Sequence, residues 1–312
     1  MEIYQRLEDI RDRPAVALAI GSFDGLHRGH RAIIATVREE AKERGVKSMI
    51  MTFSPTPREV LSGEHEVALM RTEEKIAHLR SLSIDILCII AFDQEFAKTG
   101  RDTFIQGLLT YLDLKVLVAG PDHHIGNRHE GGIAYLKETG AMKGFDLVIV
   151  PKAEYACREI SSQLIRKKLK EGRIEDVNAM LGYSYRLTGK VVRGEQRGRV
   201  LGFPTMNILP DQRSCVIPAM GVYCVKLLLD GQCLPAVCNI GMRPTFSADK
   251  LSLEVHVPDM KLSEEYGKTL AVQFERFIRN EKKFENAEAL IAEIKEDIKK
   301  CKNILTEEKC QV

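Results

Sequence analysis

Two patterns of apolar residues divide the chain into two parts. In residues 1–182, short apolar runs alternate with stretches in which apolar side chains recur every three or four positions. The runs predict buried strands, and the second spacing predicts amphipathic helices. Because strands that alternate with helices form parallel sheets, we expect a parallel α/β sheet here. The predicted strands are residues 15–20, 46–53, 84–91, 115–119 and 146–150.

Residues 183–312 show a different pattern of apolar residues. Short runs rich in β-branched and aromatic residues follow one another without helical spacing, and Asp230-Gly231 is a strong hairpin signal. Strands this close together predict an antiparallel barrel. An apolar stripe over residues 287–301 predicts a last helix that is capped by Asn286 and packs on the barrel. The predicted strands are residues 185–192, 221–229, 232–240, 251–257 and 271–279.

Length and composition fit this division and argue against several classes of protein. The 312 residues suggest two domains at ~150 residues each, which we expect to be residues 1–182 and 183–312. A formal net charge of +2 without blocks of like charge argues against a nucleic-acid partner. Residues 1–6 are not hydrophobic, and no apolar run reaches the ~18 residues that cross a membrane, so we expect neither a signal segment nor a membrane span. Eight cysteines without Cys-x-x-Cys spacing predict a reduced, cytoplasmic protein without a zinc site.

The most informative segment is residues 21–30, which read Gly-Ser-Phe-Asp-Gly-Leu-His-Arg-Gly-His. They follow the first predicted strand and lead into a helix that we expect to begin near Leu26. A helix start presents unpaired N–H groups and a positive dipole end, which suit a phosphate. His27 and His30 can project from one face of the first turn and stabilise charge on a phosphorus centre. The alternative is an ordinary strand–turn–helix with two surface histidines.

Other polar loops leave predicted strands at the same edge, where parallel sheets bind ligands. Residues 21–30, 54–57 and 120–132 all follow strands, so they are expected to share one cleft. Within the last loop, Asp122 and Arg128 are the expected polar contacts of a nucleotide. A metal site built on the histidines of that loop and a solvated surface loop are the alternatives.

A further helix is predicted to begin at residues 161–162. Ser162 can donate a hydrogen bond to a phosphate, and Arg166 can make a charge-assisted contact with it. The alternative is a capped helix without a ligand.

The chemistry of the second part is concentrated in residues 189–207. Glycines spaced four apart among arginines predict a flexible flap over phosphates. Thr205 and Asn207 would point to the same face of a strand, where they could hold a magnesium ion and a phosphate. An ordinary glycine-rich turn is the alternative.

Two motifs carry a resemblance to known families. Residues 21–30 resemble the Gly-x-Phe-Asp-Gly-x-His-x-Gly-His motif of nucleotidyltransferases related to class I aminoacyl-tRNA synthetases. Residues 189–207 resemble the riboflavin kinase motif Gly-x-Val-x-x-Gly-x-x-x-Gly-Arg-x-Leu-Gly-Phe-Pro-Thr-x-Asn, and residues 221–223 and 239–246 extend the match. Both halves in this order look like the prokaryotic bifunctional riboflavin kinase/FAD synthetase family. The resemblance implies a Rossmann-like module that transfers AMP from ATP to FMN, giving FAD, and a β-barrel module that phosphorylates riboflavin with ATP.

The resemblance also implies roles for individual residues. His27 and His30 would contact nucleotide phosphates, with no covalent intermediate. Glu254 would be the catalytic base that takes the proton from the ribityl 5′-hydroxyl, unless it simply lies on the solvent face of its strand. Thr205 and Asn207 would bind Mg²⁺. The predicted nucleotide- and phosphate-binding residues are Gly21, Phe23, Asp24, Gly29, Asp122, Arg128, Ser162, Arg166, Gly194, Gly198, Arg199, Gly202, Pro204, Thr205 and Asn207.

Three departures from the family pattern fall in the adenylyltransferase motifs. Thr56 replaces the histidine of Phe-x-Pro-His-Pro, His123 and Ile125 replace the two aromatics of Asp/Asn-Phe-x-Phe-Gly, and Gln163 replaces the threonine of Ile-Ser-Ser-Thr. The leading hypothesis is an enzyme with both activities. The alternatives are a riboflavin kinase with a weak or degenerate adenylyltransferase domain, a non-catalytic flavin-binding regulator, and a nucleotidyltransferase for another acceptor.

Overall fold

A computed structural model describes residues 1–62, 67–127, 130–194, 198, 201–210, 215–243, 250–260 and 265–309. The chain divides into two compact units, Met1–Ser162 and Gln163–Val312. Residues 163–182 therefore belong to the second compact unit, although the apolar pattern changes only after them. The predicted domains, residues 1–182 and 183–312, stay a prediction about where each activity is encoded.

The first unit is built on a parallel sheet, as predicted. In the described residues, all five pairs of neighbouring strands are parallel. The sheet order is β1-β4-β3-β2-β5-β6. The edge strand β1 was not predicted, because three mostly exposed residues carry no apolar pattern. The strands are β1 (Glu2–Tyr4), β2 (Ala15–Ile20), β3 (Lys47–Phe53), β4 (Ile86–Ile90), β5 (Asp113–Ala119) and β6 (Asp146–Ile149).

Helices complete the first unit. Val16 and Leu18 of β2 are fully buried, as are Met49 and Leu117 on the neighbouring strands, and all four belong to one apolar core. A small hairpin, β7 (Glu154–Tyr155) and β8 (Arg158–Glu159), follows the sheet. The helices are α1 (Arg28–Arg44), α2 (Pro57–Ser62), α3 (Thr72–Ser81), α4 (Arg101–Tyr111) and α5 (Ile133–Lys143).

The second unit contains the predicted antiparallel barrel. Its strands close in the order β10-β13-β12-β11-β14-β9, and each neighbouring pair is antiparallel. Two helices, α6 (Ser162–Lys170) and α7 (Ile174–Leu181), precede it. The strands are β9 (Arg186–Val192), β10 (Met206–Pro210), β11 (Gly221–Leu229), β12 (Gln232–Arg243), β13 (Lys250–His256) and β14 (Thr269–Arg279).

The last helix, α8 (Ala287–Lys309), packs on the barrel as predicted. The Asn286 side chain caps it by accepting the N–H of Ala289 at 2.8 Å. Cys301 and its neighbours pack on buried side chains of β11 and β12. Arg279, at the end of β14, donates to the buried carboxylate of Asp297 at 2.8 Å, which ties the helix to the barrel.

The hairpin between β11 and β12 has the predicted turn. Asp230 and Gly231 both have positive φ, 47° and 80°. Leu229 faces Gln232 directly, so the loop has two residues. Positive φ at both turn positions is the geometry that Asp-Gly favours.

Across the described part of the chain, no helix combines the length and the apolar character needed to cross a bilayer.

Candidate active sites

The loop between β2 and α1 has a backbone that the sequence did not predict. Phe23, Gly25 and Leu26 have φ values of 46°, 74° and 39°. Such values are rare for phenylalanine and leucine and cost ~1–3 kcal/mol each. Because residues with positive φ cannot continue a right-handed helix, α1 begins at Arg28 instead of near Leu26. Residues 24–26 form a separate 3₁₀ turn.

The two motif histidines lie together at the start of α1. His27 is the N-cap residue, and its Nδ1 accepts the N–H of His30 at 3.3 Å. Their rings stack with centroids 3.6 Å apart, and the ring of Phe23 meets His30 edge-on. Gly29 leaves room for this arrangement, since a Cβ there would lie 3.3 Å from the His27 ring. Their contact with phosphates stays a prediction.

Both imidazoles are neutral near pH 7. Burial lowers the pKa of His27 to about 4. Burial is the largest cause that holds the pKa of His30 well below its usual range, and repulsion from a protonated His27 and from Lys75 acts in the same direction. His30 Nδ1 is buried and has no hydrogen-bond partner within the described residues. A neutral imidazole offers one N–H and one lone pair, so His30 can still donate to an anion that enters the site.

Asp24 fixes the loop between β2 and α1 through two hydrogen bonds. The residue is 4% exposed, and its carboxylate accepts the N–H of Leu69 at 2.9 Å. The Asp24 carbonyl accepts the hydroxyl of Ser162 at 3.1 Å. A hydroxyl has a single hydrogen to donate, so Ser162 would have to release this bond to donate to a phosphate. Phosphate binding by Asp24 and Ser162 stays a prediction.

Lys75, on α3, was missed by sequence reasoning. Its Nζ donates to the Ser22 carbonyl at 2.7 Å and to Thr52 Oγ1 at 3.3 Å. The Thr52 hydroxyl also donates to the Ser22 carbonyl, at 3.0 Å. Burial lowers the pKa of Lys75, and the nearby Asp24 carboxylate opposes that shift. A lysine within a polar helical stretch reads as solvent-exposed, so nothing local marks this one as buried.

A cavity of about 430 Å³ adjoins the start of the motif loop, which is the segment of residues 21–30. Gly21, Ser22, Pro57 and residues 122–127 line it, so all three predicted loops contribute to one cleft, but His27 and His30 are not among its lining residues. Aromatic side chains form much of its wall and meet edge-on, with centroids 5.5–6.1 Å apart. Such a slot suits a flat ring system. These aromatic residues are Phe53, Phe92, Phe96 and Phe104.

The loop after β5 brings the half-buried His123 to this cavity. His123 Nε2 has no hydrogen-bond partner among the residues described, and burial lowers the His123 pKa to about 4. The carboxylate of Asp122 is exposed and pairs with Lys152, so its contact with a nucleotide stays a prediction. The described residues contain no group of His, Cys, Asp and Glu able to hold a metal ion, and Arg128 lies outside them.

The second candidate site lies on neighbouring strands of the barrel. Asn207 on β10 faces Glu254 on β13, and Glu254 faces Asn239 on β12. All three line a cavity of about 450 Å³, together with Thr205. Glu254 is half-buried, and it contributes to the cavity wall. This row follows directly from the register of the barrel.

The same cavity offers oxygen ligands for a hard divalent cation. Asn207 is 6% exposed, and its Oδ1 has no hydrogen-bond partner in the described part of the chain. A buried oxygen without a partner is costly unless a ligand satisfies it. Hard cations take amide, hydroxyl and phosphate oxygens. Asn207 and Thr205 therefore fit the predicted metal-binding role.

A tight loop leads into β10. The Phe203 N–H donates to the Gly198 carbonyl at 2.7 Å, and Gly202 has a φ of 87°. Pro204 accepts a hydrogen bond at 2.9 Å from Nδ1 of His256, another residue of the cavity wall that the sequence did not single out. Among the remaining predicted residues, Gly194 follows β9 and is half-buried, Arg166 lies on α6, and Arg199 lies outside the described residues.

Asn239 and Glu281 also line this cavity, and neither was predicted as a site residue. Asn239 Nδ2 donates to the Glu281 carboxylate at 3.2 Å. Asn239 lies in the riboflavin kinase-like segment, residues 239–246, so that motif was its available signal. Glu281 follows β14 and has no local signal.

Comparisons with known proteins agree with this division. The sequence model of the FAD synthetase family matches residues 9–164, and that of riboflavin kinase matches residues 181–305. The chain is 35% identical to the bifunctional riboflavin kinase/FMN adenylyltransferase of Listeria monocytogenes, over 90% of this chain and 89% of the relative. It is also 35% identical to the protein of that name from Escherichia coli, over 95% of this chain and 96% of the relative.

A solved structure extends the similarity to the whole fold. The crystal structure of a macrolide-efflux protein from Streptococcus pneumoniae matches with a TM-score of 0.88 at 27% identity. The match covers 96% of this chain and 98% of the other. The two matching family models and the relatives that span nearly the whole chain agree. The chain belongs to the family of bifunctional riboflavin kinase/FMN adenylyltransferases.

Proposed function

We propose that the second unit phosphorylates riboflavin and that the first unit adenylylates the resulting FMN. The observation that supports the proposal is that each unit has its own cavity. Asn207 and Glu254 line the cavity of the second unit, and Gly21 and Ser22, at the start of the loop that leads to His27 and His30, line the cavity of the first. Substrates are ATP with riboflavin in one cavity and ATP with FMN in the other. FAD and pyrophosphate leave the first unit, and ADP leaves the second.

In the kinase reaction, Glu254 acts as the general base. It takes the proton of the ribityl 5′-hydroxyl as that oxygen attacks the γ-phosphorus of ATP, and the bond to ADP breaks. Asn207, on β10, is paired directly with Glu254, on β13. The ATP phosphate and the riboflavin hydroxyl can therefore meet beside these two side chains. Gly194, Gly198, Gly202 and Pro204 are the proposed phosphate contacts, and the same role for Arg199, which lies outside the described residues, rests on the sequence alone.

In the adenylyl transfer, a phosphate oxygen of FMN attacks the α-phosphorus of ATP and pyrophosphate leaves. His27 and His30 hydrogen-bond the phosphate oxygens on which negative charge increases, and the start of α1 adds its N–H groups. The aromatic cavity wall supports the isoalloxazine ring. Gly21, Phe23 and Gly29 shape the loop, and Asp122 and Ser162 are further phosphate or nucleotide contacts. The same role for Arg128, which lies outside the described residues, and for Arg166, which falls in the second compact unit, rests on the sequence alone.

Both reactions belong to classes that use a divalent metal ion, and we assign it as Mg²⁺. Thr205 and Asn207 would hold it in the kinase site, supported by the unsatisfied Oδ1 of Asn207. When bound, the metal neutralises charge on the ATP phosphates. We also propose a cytoplasmic location, which the free cysteines among the described residues support.

A product assay tests the proposal. Purified protein is incubated with ATP and Mg²⁺, first with riboflavin and then with FMN, and the flavins are separated by chromatography. FMN and then FAD from riboflavin, and FAD from FMN, are expected. A reaction without Mg²⁺ and with excess chelator is the control and should form neither product.

The same assay separates the alternatives. FMN that accumulates without FAD, even when FMN is supplied directly, would indicate a riboflavin kinase with a degenerate first domain. Flavin binding without turnover would indicate a regulator. Failure to form FMN at all would overturn the proposed kinase function.

A further inference from the structure

We propose that Lys75 is a positioning residue for adenylyl transfer. Lys75 fixes the Ser22 carbonyl, and with it the loop that carries His27 and His30, and it places a buried positive charge beside their rings. The inference rests on the proposed adenylyltransferase function of the first unit. It adds a residue from α3 to the candidate adenylyltransferase site.

The ammonium group of Lys75 contacts the motif loop at Ser22 and the adjacent strand β3 at Thr52. This group is removed from water, with 6% of the residue exposed. It donates to the Ser22 carbonyl at 2.7 Å, and Thr52 donates to the same oxygen. Removing a charge from water is expensive, and an apolar side chain would fill this space at lower cost. A lysine here therefore indicates a requirement for its charge or its hydrogen bonds.

The loop needs such an anchor because its backbone is strained. Phe23 and Leu26 have positive φ, a conformation that persists only where surrounding contacts fix it. Lys75 holds the carbonyl immediately before Phe23. The buried Asp24 carboxylate holds the other side through the N–H of Leu69. The two anchors bracket the strained residue whose ring contacts His30.

The charge of Lys75 also acts on the imidazoles. Among the described residues, the charged or titratable groups that act on His30 are His27, at the start of the same helix, and Lys75, on α3. Asp24, in the loop, acts on Lys75. A positive charge at this position favours neutral imidazoles in the free site, and it attracts the anionic phosphates of ATP. The site is thus prepared for an anion before the nucleotide arrives.

Three variants separate geometry from charge. Lys75→Met removes the hydrogen bonds and the charge, Lys75→Arg keeps a cation with donors, and Lys137→Met removes an exposed lysine of α5 as a matched control. FAD formation from FMN is measured as kcat and KM from pH 5 to 9. FMN formation from riboflavin by the same preparation reports on the second unit, and circular dichroism and thermal unfolding report on folding.

Lys75→Met should lower kcat for FAD formation about a hundredfold, as expected when reacting groups are misplaced. The acid limb of its pH profile should move to higher pH, because one cause of the lowered His30 pKa is gone. Lys75→Arg should recover most of the activity and keep the wild-type limb. FMN formation should stay unchanged in all variants, and Lys137→Met should match wild type throughout.

Thr52→Val keeps the test decisive if Lys75→Met fails to fold. It removes one donor to the Ser22 carbonyl with little change in volume, and about a fivefold loss of kcat for FAD formation is expected. Wild-type kcat in Lys75→Met, or in Thr52→Val if the first variant does not fold, overturns the inference. So does a folded Lys75→Met that loses activity without a shift of the acid limb. No FAD from the wild-type protein would instead overturn the proposed adenylyltransferase function.

Discussion

The two candidate sites are built from different kinds of structural element. In the second unit, Asn207, Glu254 and Asn239 lie on adjacent barrel strands, where the register alone places them side by side. In the first unit, the histidines follow a loop with positive φ that is held by buried residues distant in sequence. The barrel site therefore depends on the register of its strands, whereas the histidine site depends on the buried residues that hold its loop.

The departures from the family pattern follow the same division. Thr56, His123, Ile125 and Gln163 all fall in the adenylyltransferase motifs, while the quoted kinase motifs are intact. The two cavities are similar in size, about 430 and 450 Å³, so both can accept a flavin-sized ring. Mutations at each site can therefore test whether the two activities are independent.

The largest effect is expected at Glu254. Glu254→Gln keeps the shape of the side chain but cannot accept the ribityl proton, so riboflavin phosphorylation should fall about 10³-fold. FAD formation from supplied FMN should be unchanged. The rates are measured by chromatography with riboflavin or FMN as the substrate. Equal losses of both activities would contradict a base that serves only the kinase.

His30→Ala should produce the opposite pattern. Removing a donor to the charge that develops on the phosphate oxygens should reduce FAD formation from FMN by about 10²–10³-fold. FMN formation from riboflavin should match that of wild type. Because His27 stacks on His30, thermal unfolding should be recorded in parallel. A variant that folds and still forms FAD at the wild-type rate would remove His30 from the mechanism.

The first unit should also lose stability in mild acid. The pKa values of His27 and His123 are about 4 in the folded protein, below the ordinary value of 6.5. The unfolded chain therefore binds more protons between these values, and stability falls as the pH drops from about 6.5 towards 4. Each histidine contributes at most about 2 kcal/mol to the change between pH 7 and pH 5.

Hydrogen exchange at pH 7 and pH 5, corrected for intrinsic rates, measures this change locally. Amides of β2 should lose protection in acid. His27→Asn keeps an N-cap acceptor but cannot titrate, so it should lose less protection than wild type over the same range. An unchanged pH dependence in this variant would show that another group is responsible.

Sequence patterns predicted regular elements well because those patterns reflect local burial. The five long strands of the sheet and the terminal helix follow from apolar runs and stripes. Edge strand β1 has no such run, and the start of α1 was displaced by positive φ at Leu26. The residues missed at the sites are those whose partners are distant in sequence. Lys75 contacts Ser22, and Glu281 contacts Asn239, which no local pattern shows.

The smallest expected effect concerns His123, which stands where the family has an aromatic residue. Its buried Nε2 lacks a hydrogen-bond partner among the described residues, which costs stability, and its ring offers less stacking area than phenylalanine. His123→Phe should therefore lower KM for FMN about fivefold, through ~1 kcal/mol of added contact, with kcat unchanged. KM for riboflavin in the kinase reaction is the control and should not move. A higher KM for FMN would mean that His123 donates or accepts a hydrogen bond with the flavin, so that the departure from the family pattern is an adaptation of the candidate site in the first unit.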